Sequence, residues 1–247
     1  MSLPEFKTIL LYSDDGASKI CLKETEKMFS LLFPHSKVIR ITATDVLNTN
    51  WQSIADLFVM PGGADRPYNR NLGEAGSKLI RQYVEMGGKY LGICAGAYFA
   101  CDRFEFNKHI EGEEEVCEER SLKFFDGMAF GPLYPNFKEN LETGAVVVPI
   151  FYNETQCSIY YNGGCAFVHN DDKSSVTHTD NVVAFYENGM NAVYVKTIGK
   201  GKVVLSGPHF EISGEYCKSI KLLDENTSVD TFDQQRISFA NYVLSFF

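Results

Sequence analysis

Three groups of residues in this 247-residue chain have types and spacings that could do chemistry. The first is Gly92-Ile93-Cys94-Ala95-Gly96. An expected strand, Lys89–Ile93, precedes the cysteine, and small residues able to open a helix follow it. Cys94 therefore falls at an expected strand-to-helix turn, the nucleophile-elbow pattern with cysteine in place of serine. Flanking glycines relieve crowding around a sharply turned side chain. Free N–H groups at the start of a helix favour negative charge, and such a setting lowers a thiol pKa. The plain alternative is a structural cysteine in tight strand-helix packing, and these five residues alone do not decide between the two.

The second group is His209-Phe210-Glu211, directly after the apolar run Val203–Ser206 and Gly207-Pro208. Residues two apart in an extended segment project to the same side. Glu211 can then accept from the imidazole of His209 and fix its tautomer, as a general base serving a thiol requires. His35, His109, His169 and His178 have no such setting and read as surface or loop residues. The third group is Met60-Pro61-Gly62-Gly63. Paired glycines after a strand bring backbone N–H groups close to a ligand, and with the N–H of Ala95 they could form an oxyanion hole. A Pro-Gly-Gly turn is common by itself. Its place one strand-helix unit before Cys94 gives it meaning.

The elements that must position these groups follow from the hydrophobic pattern. Strands are expected at 7–13, 38–41, 56–60 and 89–93. Helices are expected at 17–33, with Ile20, Met28, Leu31 and Leu32 on the buried face, and at 74–86. This alternation implies an α/β fold with a mostly parallel sheet and helices on both faces. Ligands of such sheets sit at the carboxyl ends of the strands. Asp14, Gly62-Gly63 and Cys94 all fall there, which makes Asp14 a possible pocket residue. Strands at 144–152, 157–161 and 181–186 read as antiparallel additions in the middle of the same domain, which spans 1–247. A strand pair, 192–197 with 202–206, and a helix at 231–244 close the chain. Glu111–Glu119 holds six glutamates in nine residues and reads as a solvated face.

Composition narrows the function. The chain is 45% hydrophobic and 22% charged, with a net charge of −9. That sign disfavours nucleic acid and anionic membranes as partners. The seven cysteines are irregularly spaced with no CxxC, so no metal site is expected, and free thiols point to a reducing, cytoplasmic setting. No run reaches membrane-spanning length. No cofactor motif is present.

Taken in order, the glycine loop, the cysteine elbow and the His-x-Glu resemble the class I glutamine amidotransferases. Pro61-Gly62-Gly63-Ala64-Asp65 with Pro67-Tyr68 is similar, more closely, to the amidotransferase-like N-terminal domain of eukaryotic biotin-protein ligases, of which stand-alone bacterial types exist. So are Gly92–Ala100, Gly131-Pro132-Leu133-Tyr134-Pro135 and Tyr160-Tyr161-Asn162-Gly163-Gly164. The resemblance covers residues 7 to 247. It implies a flavodoxin-like fold, Cys94 as nucleophile, His209 as base, Glu211 as its orienter, and Gly62, Gly63 and Ala95 as oxyanion donors. Phe210 stands where many amidotransferases have proline, which leaves that loop less rigidly set. No Gly-Arg-Gly-Arg run occurs, so biotin transfer by this chain is not expected. Asn162 and Gly163 could line the pocket, although their turn chemistry favours a hairpin between strands.

The leading expectation is a cysteine-dependent amidotransferase or amide hydrolase acting on a small-molecule amide, with an acceptor or ligase protein as a possible partner. The alternative is a non-catalytic ligand-binding or regulatory module. A third reading, a redox protein with Asp14 or Asp15 beside the elbow thiol, leaves His209 and Glu211 without a role.

Overall fold

The computed structural model describes residues 3–108, 110–138, 141–169 and 181–247. The chain opens with β1 (Thr8–Tyr12), α1 (Lys19–Leu32), β2 (Lys37–Ile41), α2 (Ala43–Asn48), β3 (Leu57–Met60), α3 (Asp65–Glu85), β4 (Lys89–Ile93) and α4 (Ala95–Phe99). Ser18 caps α1 by accepting the Cys21 N–H. The helix buries Cys21, Leu22, Thr25, Met28 and Phe29, which recur at the 3.6-residue period. The expected face was drawn by residue type and is rotated: Leu31 is 63% exposed, and Cys21 points inward. α3 begins nine residues before the expected start. Pro67 sits in its first turn, where a missing N–H costs nothing, and Gly73 breaks the run with φ 54° and ψ −159°.

The rest runs β5 (Cys101–Phe106), β6 (Val116–Glu119), β7 (Phe125–Gly131), β8 (Val146–Tyr152), β9 (Thr155–Tyr161), β10 (Ala166–His169), β11 (Val182–Tyr186), β12 (Asn191–Ile198), β13 (Gly201–Ser206), α5 (Gly214–Ser219) and α6 (Val229–Leu244). The glutamate-rich stretch ends in the edge strand β6, where charge on a free edge discourages further pairing.

All described strands join one sheet, ordered β2-β1-β3-β4-β13-β12-β10-β7-β5-β6, with β11 beside β12, β8 beside β11 and β9 beside β8. The β2-β1-β3-β4-β13 portion is parallel throughout. Its faces separate by alternation. Leu10, Tyr12, Phe58, Met60, Tyr90, Val203 and Leu205 pack toward α2 and α3. Ile9, Leu11, Leu57, Val59, Leu91, Ile93 and Val204 pack toward α1 and α6. Both faces are covered, as a parallel sheet requires. β3 and β4 are the middle of this portion, and β13 returns from late in the sequence to lie against β4. The Ser206 to Ile93 register brings the two C-terminal strand ends level. Among the described residues no helix is long and apolar enough to cross a membrane.

Candidate active site

Cys94 occupies the turn between β4 and α4 with φ 49° and ψ −107°. A side-chain-bearing residue rarely adopts this conformation, and the surroundings hold it there. The Cys94 N–H donates to Ser206 O of β13 at 2.8 Å, and its carbonyl accepts from Ala97 and Tyr98. The turn also needs its glycines. A Cβ on Gly92 would lie 2.5 Å from Gly96 O, and one on Gly96 would lie 2.1 Å from Met60 O. α4 has only five residues, so its contribution comes from local N–H groups rather than from a long macrodipole. Among the described residues the N–H groups of Gly62, Gly63 and Ala95 donate to nothing.

His209 follows β13. Its backbone N–H donates to Tyr160 O at 2.9 Å, and its ring meets the Tyr160 ring edge-on. The Nδ1–H donates to Glu211 Oε1 at 2.7 Å, the pairing expected from the His-x-Glu spacing. Because Glu211 takes Nδ1, the nitrogen left for proton transfer is Nε2. Both side chains are buried. Burial alone would pull the imidazole down. The Glu211 carboxylate, aided by the sulfurs of Cys94 and Cys21, instead holds it well above the usual imidazole range. The expected looseness at Phe210 is absent. Its ring is fully buried and meets Phe239 of α6 edge-on, while the buried Arg236 donates to Phe210 O at 3.0 Å. Anchoring by α6 supplies the rigidity that a proline would have given.

The thiol in reach of this imidazole is Cys21. Its Sγ lies 3.8 Å from His209 Nδ1, and Cys21, His209 and Glu211 offer ligating atoms all within 4.8 Å of one another. Burial raises the Cys21 pKa, against the lowering effect of His209. Cys94 Sγ faces Asn162 O at 3.8 Å and makes no hydrogen bond to His209. Sequence spacing gave no hint of Cys21. The 21-22-25-28-29 period of α1 carries the signal that it points inward, but not what it meets.

A cavity of about 310 Å³ opens at the sulfur. Gly63, Cys94, Ala95, Asn162 and Gly163 line it. Gly62 stands behind, against His209, where a Cβ would lie 2.5 Å from the imidazole Cε1. Asp14 is not part of the lining: its carboxylate accepts the N–H groups of Ala43 and Asp15, a capping role at the start of α2. The Asn162-Gly163-Gly164 segment is no hairpin. β9 pairs with β8, whereas β10 pairs with β12 and β7, so this segment crosses between strands over the cavity. Tyr98, one helical turn after Cys94, ties it down by donating to Gly163 O and Gly164 O, each at 3.1 Å. Asn107 and Asn162 bind loop carbonyls through Nδ2, and their Oδ1 atoms have no donor among the described residues. His35 is exposed, His169 packs on Phe125, and His109 and His178 lie outside the described residues. The described cysteines are all free thiols, and of these Cys117 alone is exposed.

The family described as biotin-protein ligase, N terminal, matches residues 7–247. The chain belongs to the biotin-protein ligase N-terminal family. It is 35% identical over 233 residues to the biotin–protein ligase of Schizosaccharomyces pombe, covering 90% of this chain but only 36% of that enzyme. It is also 36% identical over 227 residues to a protein of Chlamydia muridarum described as uncharacterised, covering 88% of this chain and 84% of that one. Among solved structures it is similar to a glutamine amidotransferase with a TM-score of 0.54 at 13% identity, covering 96% of this chain and 98% of that one. An exo-beta-1,4-mannosidase from an Opitutaceae bacterium gives the same TM-score at 11% identity, over 96% of this chain and 36% of that one. At these identities the likeness is of fold alone: this member of the biotin-protein ligase N-terminal family has an amidotransferase-like fold.

Proposed function

We propose that the chain is a cysteine-dependent amide hydrolase or amidotransferase with Cys94 as nucleophile, His209 as acid and base, and Glu211 as the orienter of His209. The observation that carries this is the strained Cys94 turn, which sets a sulfur at a cavity lined also by Gly63 and Ala95, whose N–H groups have no acceptor among the described residues. A β-strand away, His209 is locked on Glu211. In the proposed reaction Cys94 gives its thiol proton to His209 Nε2 as Sγ attacks an amide carbonyl carbon and the S–C bond forms. The N–H groups of Ala95 and of Gly62 or Gly63 hold the resulting oxyanion. The C–N bond then breaks, and His209 Nε2–H gives its proton to the leaving amine. Water attacks the thioester, one of its protons passes through His209 to Cys94 Sγ as the S–C bond breaks, and the carboxylic acid leaves. A side-chain rotation on substrate arrival would bring Cys94 to His209, since catalytic hydrogen bonds often tighten only in the complex. An amidotransferase would pass the released ammonia to an acceptor on a partner protein.

The test is alkylation of the whole chain with iodoacetamide, mapped by mass spectrometry. Cys117 is the internal standard, because access favours it. The expected result is that buried Cys94 reacts fastest, and that the advantage is lost in His209→Asn. Reaction at Cys94 no faster than at Cys117 rejects the catalytic reading.

The second reading is a non-catalytic binding module. It is favoured by one observation: His209 contacts the sulfur of Cys21, not that of Cys94. It expects ligand-induced thermal stabilisation that persists in Cys94→Ala with no product formed.

A further inference from the structure

Three donor atoms of different chemistry converge beside Gly62. Cys21 Sγ, on the buried face of α1, lies 3.8 Å from His209 Nδ1, and Glu211 Oε1 lies 2.7 Å from the same nitrogen. A thiol, an imidazole and a carboxylate thus hold ligating atoms within 4.8 Å of one another, and all three residues are buried. Hydrogen bonding uses only part of this capacity. The single Nδ1–H goes to Oε1, which leaves Cys21 Sγ with the long contact to that nitrogen. Glu211 Oε2 is buried with no donor among the described residues. A buried carboxylate oxygen left without a partner is costly. Gly62 keeps room between the donors. A Cβ there would lie 2.8 Å from Cys21 Sγ and 3.2 Å from His209 Nδ1, so the glycine leaves open a gap that both atoms border.

The donor set suits a particular kind of cation. Thiolate and imidazole select Zn²⁺ and its transition-metal neighbours over Mg²⁺ and Ca²⁺, which take oxygen ligands. Around a tetrahedral Zn²⁺, sulfur, nitrogen and oxygen ligands sit about 3.4–3.6 Å apart. The Cys21 to His209 spacing is already close to this, and the Glu211 carboxylate reaches it by a movement of about 1 Å. Charge balances as well, because a thiolate and a carboxylate together offset a dication where water is excluded. The buried Arg236, which donates to Glu211 O, has its own counter-ion in Asp233 and does not claim the Glu211 side chain.

We infer that Cys21, His209 and Glu211 form a Zn²⁺ site, ligating through Sγ, Nδ1 and a carboxylate oxygen and leaving a fourth position to water. On binding, Cys21 Sγ and His209 Nδ1 each give up a proton to solvent. The ion ties α1 to the segment after β13, and the site does not depend on Cys94 being a nucleophile. The experiment uses the whole chain, reduced and stripped with a chelator, in a Cys117→Ser background that removes the exposed thiol. One equivalent of Co²⁺ should give a thiolate-to-metal absorption band. Zn²⁺ should displace it and Mg²⁺ should not. X-ray absorption of the Zn²⁺ form should show one sulfur at about 2.3 Å, with the remaining ligands nitrogen or oxygen at about 2.0–2.2 Å. Cys21→Ser and His209→Ala should each weaken Zn²⁺ by more than the roughly 10–100-fold that loss of an outer-shell partner costs. Gly62→Ala keeps every donor but fills the gap, and should weaken Zn²⁺ too. Cys94→Ala should bind as tightly as its parent. Metal-free unfolding curves show which variants fold, and the X-ray absorption result stands without any of them. Absence of the cobalt band, two sulfurs or none at the zinc, undiminished binding in Cys21→Ser, or loss of binding in Cys94→Ala overturns the site.

Discussion

Gly62→Ala tests the arrangement of the base with a single methyl group. The added Cβ would lie 2.5 Å from His209 Cε1 and 2.8 Å from Cys21 Sγ. Carbon atoms in contact settle at about 3.5–4.0 Å, so the imidazole must yield by roughly 1 Å. It has little room. Glu211 holds Nδ1, Tyr160 O holds the backbone N–H, and the Tyr160 ring closes one side. Overpacking of this kind costs about 1–3 kcal/mol, which for a chain of this size corresponds to a Tm lower by roughly 2–12 °C. Displacing a catalytic group by ~1 Å can cost on the order of 100-fold in rate. The assay is differential scanning fluorimetry alongside the Cys94 alkylation rate. Both are repeated in Cys21→Ala with Gly62→Ala, which frees the sulfur's space and should recover part of the stability. An unchanged Tm would refute the placement of His209 against Gly62. A lowered Tm with an unchanged Cys94 rate would refute His209 as the base serving Cys94.

Glu211 is the main group holding the His209 pKa up, so the pair should leave a signature in stability against pH. The stabilisation is fully present below the unfolded imidazole value of about 6.5 and is lost as pH rises through the higher folded value. Wild-type Tm should therefore fall more steeply between those two values than Tm of Glu211→Gln, and parallel curves would reject the coupling. Cys94→Gly should be more stable than Cys94→Ala by about 1 kcal/mol or more in urea denaturation, because glycine adopts φ 49°, ψ −107° without the Cβ clash; the reverse order would contradict the strained turn. Arg120→Ala strips the buried partner from Asp65 and Glu118, and from the Phe104 face that it covers at 4.6 Å. It should cost about 3 kcal/mol by chemical denaturation, with Asp65→Asn in the same chain restoring part of it; a neutral Arg120→Ala would show that the cluster is screened by water.

Legibility in the sequence tracked how local each feature is. Leu57–Met60 and Tyr90–Ile93 carry no charged residue, and both lie buried in strands. The Cys94 turn and the His209–Glu211 pair were readable because their geometry is set by neighbours within a few residues. What failed depended on distant chain. Leu31 looks like a core residue, yet the α1 face is set by which period meets the sheet. Asp14 sits at a strand end as expected, but the start of α2 takes its carboxylate. Asn162-Gly163-Gly164 has hairpin chemistry, and only the pairing of β9 and β10 with other strands makes it a cavity wall. β5, β7 and β10 mix charged or small residues with apolar ones, so neither period stood out. Cys21 came to His209 across 188 residues, a separation on which no motif can report.

The adjacency of β4 and β13 has a consequence for the order in which the protein matures. These neighbours are joined in parallel across more than a hundred residues of intervening chain. Pairings of such high sequence separation form late, after their loop-closure entropy has been met by other contacts. During synthesis Cys94 emerges long before β13. At that stage the Cys94 N–H has no Ser206 carbonyl to hold the turn, and no His209 exists to take a proton. Cys94 gains these neighbours only when the centre of the sheet closes, so the arrangement proposed to activate it and the fully folded form arise in the same step.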